Sequence, residues 1–108
     1  MLEKQVEKYI CNYAKSKNML SYKFTSPTNR GVCDRIVISE NNLFFIEFKR
    51  KNCKPNVLQN KHHQLLASKN MTVYVIDDIE IGKEIIDYEY ENKGSKHHWR
   101  AIRNINSY

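Results

Sequence analysis

Apolar residues at the start of the chain recur at the spacing of an α-helix. Five of them fall on one face of a helical repeat with polar residues between: Leu2, Val6, Tyr9, Ile10 and Tyr13. This pattern predicts an amphipathic helix over residues 2 to 17, with one face against a core.

The next stretch changes to the two-residue alternation of β-strands. The segment "SYKFT" (21–25) alternates aromatic and polar residues, and "SPTNRG" (26–31) concentrates residues that form turns. A strand is predicted over residues 32 to 39, and Glu40-Asn41-Asn42 fits a hairpin turn because asparagine tolerates positive φ. The segment from Leu43 to Lys49 is apolar on both faces until its end, which is typical of a central strand.

The second half of the chain returns to helical spacing and then to another strand. Residues 56 to 69 carry three leucines at helical spacing that are expected to pack on the sheet: Leu58, Leu65 and Leu66. A buried strand is predicted over 71 to 76, and a short helix over 79 to 86. The predicted order is therefore α-β-β-β-α-β-α, which indicates an α/β fold.

Residues 87 to 108 are harder to interpret. "DYEYEN" alternates, Gly94-Ser95 can form a turn, and "KHHWRAIRNI" fits either a strand or a helix. We therefore expect a C-terminal extension of the same domain, with its conformation left open.

The length and composition restrict the type of protein. A chain of 108 residues suits one domain with one active or binding surface. No apolar run is long enough to cross a membrane, and the charged N-terminus does not resemble a signal peptide, so we expect a soluble intracellular protein. The three cysteines, Cys11, Cys33 and Cys53, lack C-x-x-C spacing and are interpreted as buried or incidental thiols.

Positive charge is concentrated in one segment of the chain. The net charge is +6, and no Asp or Glu occurs from Phe48 to Ile76. Six cations lie in that segment: Lys49, Arg50, Lys51, Lys54, Lys61 and Lys69. A cluster of positive charges attracts polyanions such as nucleic acid. The alternative interpretation is a lysine-rich surface that is simply solvated.

An acid and a base stand at the end of the apolar central strand. Glu47 and Lys49 are two residues apart, so their side chains project from the same face. An antiparallel pairing centred on Asn41 places residue 34 about opposite residue 48, which brings Asp34 near Glu47. Two adjacent carboxylates repel each other unless a cation joins them, and oxygen ligands suit Mg²⁺ or Mn²⁺. The alternative is a surface Glu-Lys pair with an unrelated aspartate nearby.

The motifs, taken together, resemble a VRR-NUC (virus-type replication-repair nuclease) domain of the PD-(D/E)XK nuclease superfamily. The resemblance is carried by Gly31-Val32-Cys33-Asp34-Arg35, by Phe45-Ile46-Glu47-Phe48-Lys49, by Gln59 and by Val73-Tyr74-Val75-Ile76, with Lys23-Phe24 before the Ser26-Pro27 turn. It spans residues 1 to about 86 and does not cover the extension over 87 to 108. One departure is Cys33, where families of this type usually have proline.

The resemblance implies a restriction-endonuclease-like αβββαβ core with a mixed central sheet flanked by helices. It also implies that Asp34, Glu47 and the backbone carbonyl of Phe48 bind a metal ion, with Lys49 positioning or activating the attacking water. The first helix of the family commonly contributes a glutamate.

For that glutamate we choose Glu7, with Glu3 one turn earlier as the competitor; the alternative is an exposed glutamate that stabilises the helix N-terminus. Gln59 matches the family's helix glutamine, which lies near the phosphate or the nucleophile. The cofactor implied is Mg²⁺, with Mn²⁺ as a substitute.

The basic residues form two groups of expected DNA contacts. Lys23, Arg30 and Arg35 are expected near the metal, and Arg50, Lys51 and Lys54 further along the DNA.

The histidines are interpreted separately from the metal site. Adjacent histidines on a helix point about 100° apart, so neither His62-His63 nor His97-His98 forms a chelate alone. His62 is interpreted as a core-border residue. The cluster around Trp99 either binds nucleic acid or packs the extension onto the domain or a partner subunit.

The resemblance implies a metal-dependent DNA endonuclease, and within it a Holliday-junction resolvase that acts as a homodimer in the cytoplasm of a bacterial or phage-infected cell. Symmetric cleavage of a four-way junction needs two active sites, and this chain has one. The alternatives are a nuclease for flaps, nicks or duplex, a non-catalytic DNA-binding module, and a purely structural domain with solvated charges.

Overall fold

A computed structural model describes residues 2–24, 33–40, 42–51 and 53–91. In these ranges the elements follow the predicted order: α1 (Glu3–Ser16), β1 (Leu20–Lys23), β2 (Arg35–Ser39), β3 (Asn42–Phe48), α2 (Val57–Ser68), β4 (Thr72–Ile76) and α3 (Ile79–Glu91). The α/β class and the αβββαβ core are therefore confirmed.

Two asparagines end the first two helices. Asn18 and Asn70 both adopt a φ of 65°, the left-handed conformation that stops a helix and that asparagine tolerates. After α1, the N–H of Met19 donates to the carbonyl of Ala14 at 3.1 Å, and Met71 makes the equivalent bond to Leu66 at 3.0 Å after α2. The two Lys-Asn pairs thus turn the chain from each helix into the strand that follows.

The strands form one mixed sheet in the order β1-β2-β3-β4. β1 pairs with β2 and β2 with β3 in antiparallel fashion, whereas β3 and β4 are parallel. β3 is central, and from Phe44 to Phe48 every residue is buried, as the apolar run predicts. Alternate residues of β3 therefore face two different layers of the protein.

The larger core lies on the side of the sheet covered by α1 and α3. Phe44, Ile46 and Phe48 from β3 pack there with apolar residues of both helices, such as Ile10 and Ile86. The two helices approach closely at Gly82.

A Cβ added at Gly82 would lie 2.5 Å from Ile10 Cδ1, which is closer than real Cβ contacts. A larger residue at this position would force the Ile10 side chain to move, so glycine permits this close approach of α3 to α1.

The opposite side of the sheet is covered by α2 and has a smaller core. Cys33, Phe45 and Val73 are buried there, with Leu66 packed against them. The prediction that Leu58 and Leu65 pack on the sheet is wrong, because their exposed fractions are 50% and 54%. The helix is rotated so that His63, rather than these leucines, is its buried residue.

The final helix extends beyond its predicted end at residue 86. α3 continues to Glu91, so the first residues of the predicted extension are helical. Asp87 accepts a hydrogen bond from the Tyr13 hydroxyl at 2.6 Å, and Glu89 accepts one from the Tyr74 hydroxyl at 2.7 Å. These polar contacts hold the alternating segment against the domain. Residues 92 to 108, including the cluster around Trp99, lie outside the described residues.

Within the described residues, no helix combines the length and the apolar character that a membrane crossing requires.

Candidate active site

The predicted carboxylates lie together where β2 begins and β3 ends. Arg35 pairs with Ile46, and Ser39 pairs with Asn42. Extending this register by one residue places Asp34 opposite Glu47, whereas the sequence interpretation placed residue 34 about opposite residue 48. The predicted register is therefore wrong by one residue. Two residues separate the paired residues Ser39 and Asn42, so the pairing is centred between positions 40 and 41 rather than on Asn41.

The corrected register puts Asp34 and Glu47 on the same face of the sheet, the face that α2 covers. Their carboxyl groups are close enough for the Asp34 charge to raise the pKa of Glu47. Asp34 Oδ2 accepts a hydrogen bond of 2.8 Å from the backbone N–H of Phe48.

The N–H of the next residue, Lys49, donates to Ile76 on the other side of β3. Since the N–H and C=O of one strand residue point to the same side, strand geometry directs the Phe48 carbonyl toward Asp34.

Burial makes this carboxyl pair expensive to ionise. Glu47 is 2% exposed, and burial, followed by the adjacent Asp34 charge, raises the pKa of Glu47 from 4.5 to about 8. Burial also raises the pKa of Asp34, while the Phe48 N–H opposes that shift. Both upward shifts disfavour two simultaneous negative charges on this pair. The structure thus brings together two oxygen ligands that favour a bound cation over two free charges.

The helix α2 holds Gln59 against this pair. Asn56 and Gln59 form a capping box, in which Asn56 Oδ1 accepts from the Gln59 N–H at 2.8 Å and Gln59 Oε1 accepts from the Asn56 N–H at 3.0 Å. The remaining amide nitrogen of Gln59 donates to Glu47 Oε2 at 2.8 Å. The side chain therefore links the start of the helix to Glu47 and fixes the orientation of that carboxyl.

One functional neighbour was missed by sequence reasoning. His63 lies one turn after Gln59 on the same face of α2, and its Nε2 is 3.9 Å from Glu47 Oε1. Burial lowers the pKa of His63 from 6.5 to about 4, with the Lys49 charge as the next cause, so the imidazole is neutral near pH 7. His62, which was interpreted as a core-border residue, is half-buried. The spacing of four residues from Gln59 was the available signal.

Lys49 lies beside the buried groups. Its charge lowers the pKa of Asp34, of Glu47 and of His63, so the ammonium acts on all three side chains. The sequence prediction of an acid and a base on one face of a strand end agrees with this arrangement.

Both candidate glutamates of α1 act on the carboxyl pair. Glu7 raises the pKa of Asp34, and Glu3 raises that of Glu47, which places the N-terminal turns of α1 beside the site. Glu7 Oε2 accepts a hydrogen bond from Arg35 Nε at 2.8 Å, with both side chains largely buried. Arg35 therefore faces α1 and holds Glu7, and the structure leaves the choice between Glu3 and Glu7 open.

The other predicted DNA contacts differ in their surroundings. Lys23 ends β1 directly beside Arg35, and Arg50 and Lys54 are exposed after β3. Lys51 is also exposed but pairs with Asp78 at 3.1 Å. Arg30 lies outside the described residues.

Comparisons with known proteins agree with this fold. No family model matches the chain. It is 32% identical over 80 residues to "Putative nuclease p44" of Acyrthosiphon pisum secondary endosymbiont phage 1, which covers 73% of this chain and 86% of that protein. Among solved structures, it superposes with a TM-score of 0.74 on a chain described as a VRR_NUC domain, at 23% identity, covering 80% of this chain and 95% of the other. The chain therefore belongs to the family of this phage protein and has the fold of the VRR-NUC domain.

Proposed function

We propose that the protein is a metal-dependent DNA endonuclease that hydrolyses phosphodiester bonds. The observation that carries this proposal is the pair of carboxyls of Asp34 and Glu47, which lie opposite each other at the start of β2 and the end of β3 and beside Lys49. The name of the phage relative, a nuclease, supports the same reaction. Two adjacent, largely buried carboxyls destabilise a fold when both are ionised, whereas a bound cation compensates their charge.

The residues present fit a hard divalent cation. Asp34, Glu47 and the Phe48 carbonyl offer oxygen ligands, with Glu7 or Glu3 as a further one. Glu47 Oε1 is a buried oxygen that accepts no hydrogen bond within the described residues, so it has a position left for a cation. Mg²⁺, or Mn²⁺ in its place, supplies a water of lowered pKa and compensates negative charge on the phosphate when bound.

The surrounding side chains would orient the reacting groups. Gln59 holds the Glu47 carboxyl through the hydrogen bond to Oε2, and His63 Nε2 lies 3.9 Å from Oε1. Lys49 carries a positive charge next to both carboxyls, where it aligns the attacking water or stabilises charge that develops on the scissile phosphate. Arg35 acts as a positioning residue for Glu7.

The surface around the site would bind the DNA backbone. Lys23, Arg50 and Lys54 are exposed, and Arg50 and Lys54 belong to the segment from Phe48 to Ile76, which lacks acidic residues. Arg30 and Lys51 would add to them. Each phosphate contact releases counterions, so binding should weaken steeply as the salt concentration rises.

The proposed substrate is a branched four-way junction, cleaved by a homodimer in the cytoplasm of a bacterial or phage-infected cell. One chain supplies one carboxyl pair, whereas paired symmetric incisions require two, related by a two-fold axis. This assignment extends the family resemblance and is separate from the proposal of nuclease activity.

The test is cleavage of a labelled four-way junction and a matched linear duplex, with Mg²⁺, with Mn²⁺ and with EDTA, by the wild type and by Glu47→Ala. Paired nicks in the junction alone, dependent on metal and on Glu47, are expected. Equal cutting of both substrates, or of a flap, would retain the nuclease and contradict junction specificity. DNA binding without cleavage under either metal would contradict the nuclease and favour a non-catalytic binding module.

A further inference from the structure

Three side chains of different chemistry surround one buried point next to the carboxyl pair. They are the thiol of Cys33, the carboxyl of Glu47 and the imidazole of His63, and one ligand atom from each lies within 4.8 Å of the other two. Their exposed fractions are 0%, 2% and 2%. The chain segment before β2, the strand β3 and the helix α2 thus each contribute one residue to this cluster.

The spacing of these atoms suits a small tetrahedral metal ion. Zinc binds sulfur at about 2.3 Å and nitrogen or oxygen at about 2.1 Å, which separates its ligand atoms by about 3.2 to 3.8 Å. Glu47 Oε1 and His63 Nε2 are 3.9 Å apart, and all three atoms lie within 4.8 Å. The cluster therefore needs to contract by at most about 1.6 Å through side-chain rotation.

The two oxygens of Glu47 are used differently. Oε2 accepts the hydrogen bond from Gln59, whereas Oε1 is buried and accepts none within the described residues. Oε1 is also the oxygen that faces the imidazole. A buried carboxyl oxygen directed at an imidazole, with a thiol nearby, is a ligand set that a cation would complete.

The donor set distinguishes this cluster from the site for Mg²⁺. Sulfur and nitrogen ligands select zinc over magnesium, while Asp34, Glu47 and the Phe48 carbonyl offer only oxygen. Cys33 occupies the position where families of this type usually have proline, whose side chain has no ligand atom. The sulfur ligand is thus a property of this chain rather than of the shared motif.

We propose that Cys33, Glu47 and His63 form a Zn²⁺ site that shares Glu47 with the magnesium site, so that bound zinc inhibits the nuclease. The ion forms bonds to sulfur, oxygen and nitrogen, the thiol proton of Cys33 and the carboxyl proton of Glu47 pass to solvent, and no group is oxidised or reduced. Water fills the fourth tetrahedral position. Inhibition rests on the proposed nuclease function, whereas zinc binding does not.

The binding test uses Co²⁺ as a spectroscopic substitute for zinc in the absence of DNA. Thiolate ligation gives Co²⁺ a charge-transfer absorption band in the near ultraviolet. The band is expected in the wild type and in Cys53→Ser, which changes the exposed cysteine, and Zn²⁺ should displace it. It should be lost in Cys33→Ser and in His63→Gln, with folding of each variant checked by circular dichroism. A wild type without the band, or a band that survives in Cys33→Ser, overturns the site.

The inhibition test measures DNA cleavage at saturating Mg²⁺ as Zn²⁺ is added, with each variant normalised to its own rate without zinc. The zinc concentration for half-inhibition should rise at least about tenfold in Cys33→Ser and stay unchanged in Cys53→Ser. Equal inhibition of the wild type and Cys33→Ser overturns the regulatory role. If no variant cleaves DNA, the proposed nuclease function fails, and the cobalt band still decides whether the metal site exists.

Discussion

The two faces of the sheet differ in what their buried residues do. Toward α1 and α3, β3 presents Phe44, Ile46 and Phe48, and the packing there is apolar. Toward α2, the same strand presents Phe45 and then Glu47, with Asp34 and His63 beside it. A single strand therefore presents apolar packing on one side and the proposed active-site carboxyl on the other, because successive side chains point to opposite faces.

The buried residues of the two faces also differ in how they contribute to the free energy of unfolding. The apolar face gains free energy from burial without any ionisable group, whereas the α2 face keeps Glu47 protonated and His63 neutral by burial. In the absence of metal, the residues buried on the α2 face are therefore expected to contribute less to the free energy of unfolding than those on the apolar face. Substitutions on one face should affect stability, and on the other activity.

The largest effect is expected at the shared carboxyl. Glu47→Gln keeps the size and the hydrogen-bonding capacity of the side chain but removes a charged metal ligand, so cleavage should fall by at least about 1000-fold. The measurement is the rate of metal-dependent DNA cleavage, with circular dichroism to confirm that the fold is retained. Cleavage within tenfold of wild type would mean that Glu47 is not a ligand.

The second effect tests the apolar face. Ile86 is fully buried between α3 and the core, and Ile86→Ala should lower the free energy of unfolding by about 2 to 5 kcal/mol through the lost contacts and the resulting cavity. Leu65→Ala on the exposed side of α2 is the matched control, with an expected change within about 0.5 kcal/mol. Denaturant unfolding measures both, and equal losses would contradict the different packing of the two helices.

A smaller effect is expected at the glutamine that holds Glu47. Gln59→Ala removes the hydrogen bond to Glu47 Oε2 and should lower metal affinity or cleavage by about 10- to 100-fold. Gln64→Ala, at an exposed position of the same helix, should leave both unchanged. Metal titrations of the cleavage rate measure the difference, and equal rates for the two variants would remove Gln59 from the site.

The smallest effect is a pH dependence of stability without metal. The pKa of Glu47 is raised from 4.5 to about 8, so its stabilising contribution is complete below pH 4.5 and is lost as the pH rises through 8. His63 acts in the opposite direction, because its pKa is lowered and its contribution is lost as the pH falls from 6.5 toward 4. The shift of the Cys33 thiol is upward from 9.0 and so acts above this range. Glu47 thus dominates between pH 6.5 and 8.

Across that range, the wild type in EDTA should lose about 1 to 2 kcal/mol of unfolding free energy. Glu47→Gln should lose less than about 0.5 kcal/mol, because its amide carries no proton to release. Guanidinium unfolding at the two pH values provides the comparison. The same loss in both proteins would assign the dependence to another group.

The elements with a regular local pattern were predictable from the sequence. The periodicity of Val6 and Ile10 predicts α1, and the apolar run of β3 predicts its central place. The Asp34, Glu47 and Lys49 motif likewise predicts the carboxyl pair. For α1 and β3, neighbours in sequence carry the signal, whereas the carboxyl pair also depends on the pairing of β2 with β3.

The errors arose where tertiary contacts decide. Leu58 and Leu65 have helical spacing, but the inward face of α2 follows Gln59, His63 and Leu66, because polar contacts to Glu47 orient the helix. The register of β2 against β3 depends on the length of the connecting turn, and a difference of one residue in the assumed turn shifts every pair. The ion pair between Arg35 and Glu7 joins positions 28 residues apart, and no local pattern indicates it.

The most direct test is the position of a bound metal ion. Crystals grown with Mn²⁺ give an anomalous signal that locates the ion independently of any assumption about its ligands. The expected peak lies between the carboxyls of Asp34 and Glu47 and beside the Phe48 carbonyl, and it should be absent in Glu47→Gln. A peak elsewhere on the surface, or one that persists in Glu47→Gln, would contradict the assignment of this face of the sheet as the catalytic one.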